Sequence, residues 1–523
     1  FRMRLLPVFL LLLHFSWSLN ILMYVHVVGK SHLNFAEKII SLLKQHGHSV
    51  DAIFGMFNSY VSLSGTYGAN KIVTVHFKEE SPWNKEAHLT NPFEELSDWD
   101  RVKPKGNGFV STSALLCDLL LDSSEVADLL SNNKYDLGLI NGYEFCSLGL
   151  AHHYNIAPVV SYAPTPFFNT QYYYAGLPEL PLYENIYFDE SHADRSSFFS
   201  RVYETLRVIK ERYLHIESYT GINRKFRARF GDDFPDVREI AMRTSIDFSN
   251  SHPLLEEPRP ISLRMRYIGG VARPTPKPLN KEMNKMLDLA PKGNVIFSLG
   301  TQIPPELFGA DRIRVFVNTF KRFPDFNFLW KFDGKTAMNA SNIFNLNWLP
   351  QTDLLQDSRV VAFISHMGLN SFTETSFAGV PVVSIPLFAD QVHNARRAKA
   401  LGTGEIVRKS QITEENLQAA LEKVLFDEKY RNRAREISAM IAAQPDTPER
   451  IFIEGIEFAA KFKNLSSHYR LAGAHHNFLV QVGWDVAAFL TLVLLLSAYI
   501  TSKIVVFVMS RVKVNIVMKR KLE

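Results

Sequence analysis

A chain of 523 residues, 46% of them hydrophobic, is long enough for two domains and a large buried core. Its net charge of +5 is small for that length, and its basic residues are dispersed except at the C-terminus, which excludes a nucleic-acid-binding surface. The two cysteines, Cys117 and Cys146, are too few for a disulfide framework and are expected to be buried free thiols.

Residues 1–18 carry Arg2 and Arg4, an apolar run from Leu5 to Phe15, and small Ser16 and Ser18, the pattern of a secretory signal. An N-terminal domain is expected over 19–271. There the β-branched run Leu22 to Val28 leads through Gly29-Lys30-Ser31-His32 into a helix reaching about His46, with Ala36, Ile39, Ile40 and Leu43 on one face. Gly47 closes that helix and His48 to Phe54 returns as a strand. This βαβ unit sets His32 at the carboxyl end of its first strand, where open α/β sheets bind ligands. Further strands are predicted at Lys71–Phe77, Asp136–Ile140 and Pro158–Ser161, and helices near 114–132 and 144–154. Residues 162–230 are rich in Tyr, Phe and Pro with weak periodicity, and are expected to be helices and loops walling an apolar pocket.

Three prolines within 272–280 rule out helix and central strand there and make a semi-rigid linker. A second domain is expected over 281–465, with strands at Asn294–Leu299, Phe328–Phe332 and Phe344–Asn347 and helices at Asp311–Arg322 and near 391–401, 412–426, 430–443 and 448–462. Within it the stretch Trp348 to Gln391 carries the most chemistry. The apolar run Val360 to Ile364 turns through Ser365-His366-Met367-Gly368 into a helix ending at Gly379, and a second strand, Pro381 to Ile385, leads to Asp390-Gln391. A strand feeding a helix N-terminus across a small-residue turn suits a phosphate, and a carboxylate with an amide suits sugar hydroxyls. His393 and Asn394 beyond it read as surface polarity.

Val486 to Ser510 is apolar except for Lys503 and long enough to cross a bilayer. Arg511, Lys513, Lys519, Arg520 and Lys521 put the tail, 511–523, in the cytosol and the bulk of the chain in a lumen, a type I arrangement. Lys519 and Lys521 resemble a dilysine retrieval signal of the endoplasmic reticulum, and Asn339 and Asn464 begin triplets with the form of glycosylation acceptors.

The spacing W-x-P-Q, H-x-G-x-N-(x)₃-E, G-x-P, D-Q, carried by Trp348, Pro350, Gln351, His366, Gly368, Asn370, Glu374, Gly379, Pro381, Asp390 and Gln391, resembles the donor-binding motif of the UDP-glycosyltransferases, in particular the membrane-bound UDP-glucuronosyltransferases. Met367 and Ser371 stand where many relatives have Gly. The resemblance implies an α/β fold of the GT-B type, two facing Rossmann-like domains with a C-terminal transmembrane helix, binding acceptor in the first and UDP-sugar in the second. Trp348 would stack on uracil beside Gln351, Glu374 would accept from the ribose hydroxyls, and Asp390 and Gln391 would hold the sugar. His366, Gly368, Asn370 and Thr301 would face the diphosphate.

By the same resemblance Ser31-His32 supplies the general base, and imidazole suits that task because it is neutral near pH 7. Relatives orient this base with an Asp where Asn141 stands, a change that costs on the order of 10⁴ in rate in a serine protease; Glu144 offers a substitute carboxylate. Implied co-substrates are UDP-glucuronate or, alternatively, UDP-glucose, with a small lipophilic hydroxyl-bearing acceptor and a detoxifying role. No metal or other cofactor is expected, and homo- or heterodimers are. A weakly active regulatory subunit is the alternative that Asn141 raises.

Overall fold

The computed structural model describes residues 18–63, 65, 67–84, 91–94, 108–142, 144–178, 197–300, 305–332 and 340–522. The expected signal segment, Thr301 and Asn339 lie outside them, apart from Ser18 at the end of the first.

Seven strands form the first sheet: β1 Asn20–His26, β2 Ser49–Met56, β3 Lys71–His76, β4 Leu137–Asn141, β5 Val159–Ala163, β6 Asp247–Ser249 and β7 Met265–Tyr267. All are parallel, in the order β3-β2-β1-β4-β5-β6-β7. Around them lie α1 Lys30–Gln45, α2 Gly108–Asp122, α3 Ser124–Asn132, α4 Cys146–His153, α5 Asn169–Tyr174, α6 Phe198–Phe230 and α7 Val237–Met242. The second sheet holds β8 Gly293–Ser298, β9 Phe326–Lys331, β10 Ile343–Leu346, β11 Val360–Ser365, β12 Val382–Ser384 and β13 Gly404–Ile406, again all parallel, in the order β10-β9-β8-β11-β12-β13. Its helices are α8 Lys281–Leu287, α9 Gly309–Lys321, α10 Gln351–Leu355, α11 Leu369–Ala378, α12 Gln391–Ala400, α13 Glu414–Phe426 and α14 Glu428–Ala442.

Strands such as β1 and β11 are buried along nearly their whole length, as a parallel sheet covered on both faces requires. In each sheet the strand order reverses once, between β1 and β4 and between β8 and β11. A crevice opens at such a reversal, because the crossovers leave in opposite directions. The expected two-domain α/β architecture is therefore present.

Several local expectations change. The helix expected near 114–132 is two, broken at Ser123, whose Oγ caps α3 by accepting from Val126 N at 3.2 Å. The region 162–230 contains one 33-residue helix, α6, whose C-terminal half enters the core through Ile222 and Phe226 while its N-terminal half leaves Phe199, Leu206, Ile209 and Tyr213 exposed. That change of face hides the period. The linker lies against the second domain, Lys277 N donating to Asp353 Oδ1 at 2.7 Å. After α14 the chain crosses back: α15, Pro448–Lys461, buries Phe452, Ile453, Ile456 and Ala459 in the core of the first domain, Phe452 meeting Phe248 edge-on at 5.1 Å.

α16 Leu465–Tyr469 and α17 Phe478–Gln481 lead to α18, Trp484–Leu522. Within α18 the stretch Trp484–Asn515 is long and apolar enough to cross a membrane and is unburied, so the candidate span exceeds the expected 486–510.

The free-thiol expectation is overturned. Cys117, in α2, and Cys146, opening α4, form a disulfide with Cα atoms 5.5 Å apart, because both helices pack on the same face of the first sheet. Closing a loop of 29 residues in sequence stabilises the fold by about 3–4 kcal/mol on the chain-entropy account. Cys117→Ser, or reduction of the native chain, should lower the thermal midpoint accordingly, as calorimetry in detergent with and without reductant would measure.

Candidate active site at the facing strand ends

The first half of the site grows from β1. Gly29 starts α1, His32 N donates to Gly29 O at 3.0 Å, and the His32 ring therefore sits in the first helical turn. Its Nδ1 lies 3.1 Å from the carbonyl oxygen of His26, to which an Nδ1–H donates, leaving the lone pair on Nε2. Desolvation lowers the His32 pKa to about 4, with the His26 carbonyl acting in the opposite direction. Asn141 ends β4, the strand beside β1, and is buried.

Glu144 is engaged by its own helix. Its carboxylate accepts from Cys146 N at 2.7 Å, from Ser147 N at 3.2 Å and from Ser147 Oγ, and so caps α4. Burial raises its pKa to about 8 against the pull of those N–H groups. The carboxylate that sequence reasoning offered as an orienter is occupied by its own helix, and the imidazole donates to a backbone carbonyl.

The second half collects at the carboxyl ends of β8, β9 and β11. His366 is packed between Gly300 and Gly368, at either of which a Cβ would come within 2.8 Å of its Nε2. Desolvation and then the charge of Lys331 lower its pKa to about 4, so it is a neutral group. Gly368 precedes α11 and exposes the helix N-terminus. Lys331, at the end of β9, donates to Gly300 O at 2.9 Å and stands 6.0 Å from the Trp348 ring centroid. Trp348 is 67% exposed, an open aromatic face. Glu374 accepts from Gln351 Nε2 at 3.1 Å and Thr352 Oγ at 3.0 Å; burial raises its pKa while those donors lower it. Gln351, Thr352 and Glu374 are thus neighbours.

Asp390 opens α12 and accepts from Asn394 Nδ2 at 3.0 Å. The same amide donates to Met367 O at 2.9 Å, which ties the Asp390 loop to the turn before α11. Gln391 Oε1 accepts from Leu387 N and Phe388 N, at 2.9 and 3.2 Å. His393 and Asn394 are buried, which overturns their reading as surface polarity. His393 reaches Glu256 of the first domain at 3.3 Å, and Arg397 Nε donates to Leu255 O at 3.0 Å. The two halves also meet where Asn250 Nδ2 donates to Asn370 Oδ1 at 3.4 Å.

Sequence reasoning missed Lys331 and Asn250. A lysine directly after the apolar run Phe328–Trp330 was the available signal for the first; nothing local marks the second. Among the described residues no group of three or more His, Cys, Asp and Glu side chains is spaced to hold a metal ion.

Two parallel sheets meeting at their strand ends, with a helix N-terminus on one side and a histidine on the other, define a GT-B glycosyltransferase. The model of the UDP-glucuronosyl and UDP-glucosyl transferase family matches residues 22–520, and the chain belongs to that family. It is similar to UDP-glucosyltransferase 2 of Dactylopius coccus, 26% identical with 94% of this chain and 93% of that one covered. To human UDP-glucuronosyltransferase 1A1 it is 27% identical, with 89% and 87% covered. The crystal structure of the kitacinnamycin glycosyltransferase superposes with a TM-score of 0.58 at 17% identity, over 84% of this chain and 99% of that one.

Met367 holds φ of 62°, a left-handed backbone that glycine adopts freely, and its side chain is fully buried. Met367→Gly relieves about 1–2 kcal/mol of backbone cost but empties a core position worth about 2–5 kcal/mol. The variant should lose about 2 kcal/mol of stability in net, the middle of a range of about 0–4 kcal/mol, measured as a lowered thermal midpoint.

Proposed function

We propose that this glycosyltransferase moves a hexosyl group from a UDP-sugar, UDP-glucuronate first, to the hydroxyl of a small lipophilic acceptor, with inversion. The observation that carries the reading is His32, whose Nδ1 is engaged by His26 O and whose lone pair is on Nε2, one strand crossover away from a crevice where the other domain presents Gly300, His366 and Gly368. His32 Nε2 takes the acceptor proton as the acceptor oxygen attacks the anomeric carbon. The bond from that carbon to the diphosphate breaks on the opposite face, and UDP leaves with the electron pair. Its charge falls on the α11 N-terminus and on Lys331. Trp348 stacks on uracil, and Glu374 accepts from the ribose hydroxyls. Asp390 and the Gln391 amide hold the sugar.

Within this reading the bulk of the chain is lumenal in the endoplasmic reticulum, anchored by α18. The disulfide supports an oxidising compartment, and Asn464 is exposed as a glycosylation acceptor must be. UDP-glucose remains the alternative donor, since the named relatives include a glucosyltransferase and a glucuronosyltransferase and the residues around Trp348 address uridine. A weakly active subunit is favoured by one observation: Asn141 is neutral and Glu144 caps α4, so neither offers an imidazolium a charged partner.

Membranes carrying the chain, supplied with UDP-glucuronate or UDP-glucose and a panel of phenols and flavonoids, should release UDP only with acceptor present and only with His32 intact. His32→Ala should abolish release. Equal release from the variant would exclude His32 as the base, and no release from the native chain despite UDP binding would favour the subunit reading. A base is active when deprotonated, so activity falls as pH drops through its pKa. With that pKa near 4, kcat/KM should stay level through pH 6.5 and decline only close to pH 4. Trp348→Ala should weaken UDP binding by about 1–3 kcal/mol, the worth of one stacked base, read by calorimetric titration with UDP.

A further inference from the structure

We infer that Phe93 and Lys409 are positioning residues for the donor sugar. A turn that belongs by sequence to the first domain is latched into the second and, through Lys409, fixes the loop that carries Asp390 and Gln391. The turn is Asn91–Glu94, between β3 and α2 in the sequence. Asn91 closes it twice, its backbone oxygen accepting from Glu94 N at 2.9 Å and its Oδ1 from Phe93 N at 3.0 Å. Pro92 sets the first bend between them. The Phe93 side chain is 3% exposed and lies in the core of the second domain, in one cluster with Phe297, Phe308 and Phe332. Its ring centroid is 5.6 Å from that of Phe308, and the guanidinium carbon of Arg312, in α9, stands 4.5 Å from it. A buried aromatic ring is a strong anchor for so short a segment.

Lys409 joins this turn to the sugar loop. Its Nζ donates to Pro92 O at 3.0 Å and to Leu387 O at 2.9 Å, and the residue is only 7% exposed. An apolar side chain would fill that space more easily, since burying an ammonium is unfavourable unless its donors are met. The charge adds two directed bonds that hold one carbonyl of each domain's sequence at a fixed separation. From Leu387 the restraint runs into the loop. Leu387 N and Phe388 N both donate to Gln391 Oε1, at 2.9 and 3.2 Å. Ala389 holds φ of 55°, a left-handed backbone that an alanine leaves unless held. Without Lys409 that strain is opposed at fewer points, and Asp390 and Gln391 lose their fixed placement at the start of α12.

In the proposed function the uridine end of the donor is held by Trp348 and Glu374, on other elements. Loss of the link therefore falls on the sugar and spares the nucleotide. That split separates a positioning role from core filling. The inference rests on Asp390 and Gln391 holding the sugar, and the experiment tests the two claims apart.

Calorimetric titration of the full chain in detergent would give Kd for UDP, UDP-glucuronate and UDP-glucose. The native protein is compared with Lys409→Met, whose side chain is of similar length and keeps the site filled. Kd for the sugar nucleotide that the native chain binds more tightly should rise about tenfold, while that for UDP stays within about twofold. Phe93→Ala should give the same split, and the double variant no more than either alone, because both break one link. Asp390→Ala is the control for the sugar-holding reading and should give the split as well. A split with Asp390→Ala but not with Lys409→Met would overturn the latch and leave that reading standing. No split with Asp390→Ala would overturn both. An equal rise for UDP and UDP-sugar in Lys409→Met would overturn the latch in favour of a general loosening of the second domain. A lowered thermal midpoint in Phe93→Ala with unchanged affinities would overturn it in favour of plain core filling.

Discussion

A parallel strand can be joined to its neighbour only by a crossover that leaves at the carboxyl end and returns at the amino end. Both sheets here are parallel throughout, so every crossover loop that could carry chemistry starts at the same edge of its sheet. His32 follows β1, Asn141 ends β4, Gly300 follows β8, Lys331 ends β9 and His366 follows β11. The site is assembled because the two edges are turned toward each other, and contacts such as Asn250 with Asn370 and Glu256 with His393 hold them there.

Two histidines occupy equivalent places in the two halves, one after each central strand, and both are kept neutral by desolvation. Their surroundings then separate them. His32 has a backbone carbonyl on Nδ1, which places the lone pair of the neutral ring on Nε2. His366 lies between two glycines beside a lysine, at the mouth of a helix N-terminus, where a neutral ring fills space without repelling the positive end of the dipole. Repeating one supersecondary unit has thus set two neutral rings in different surroundings, one tied to a backbone carbonyl and the other packed beside a helix N-terminus.

Long regular features were legible in the sequence. The β1–α1–β2 unit is readable because a seven-residue strand and a four-turn helix each carry enough apolar positions to fix their period, and the stretch from Trp348 to Gln391 because so many of its positions match one spacing. The three-residue strands β6, β7 and β13 were not, since alternation needs more residues than they have and their partners come from distant sequence. Side-chain commitments were equally hidden. Glu144 and Gln391 have the right chemistry for a ligand, yet much of it is used on nearby backbone N–H groups, and residue type alone does not reveal that choice. The pairing of Cys117 with Cys146 depends on how α2 and α4 pack, which two isolated cysteines do not announce.

The return of α15 to the first domain has a bearing on synthesis. The core beneath β6 is completed by Phe452, Ile453 and Ile456, two hundred residues after β6 itself has been made. The N-terminal half emerging first is therefore a vessel without its lid, its apolar floor open until the last part of the globular chain arrives. A fragment that stops at the proline linker lacks part of its own interior. Exchange of N-terminal halves between family members should accordingly carry α15 along, because the boundary drawn by sequence order is not the boundary drawn by packing.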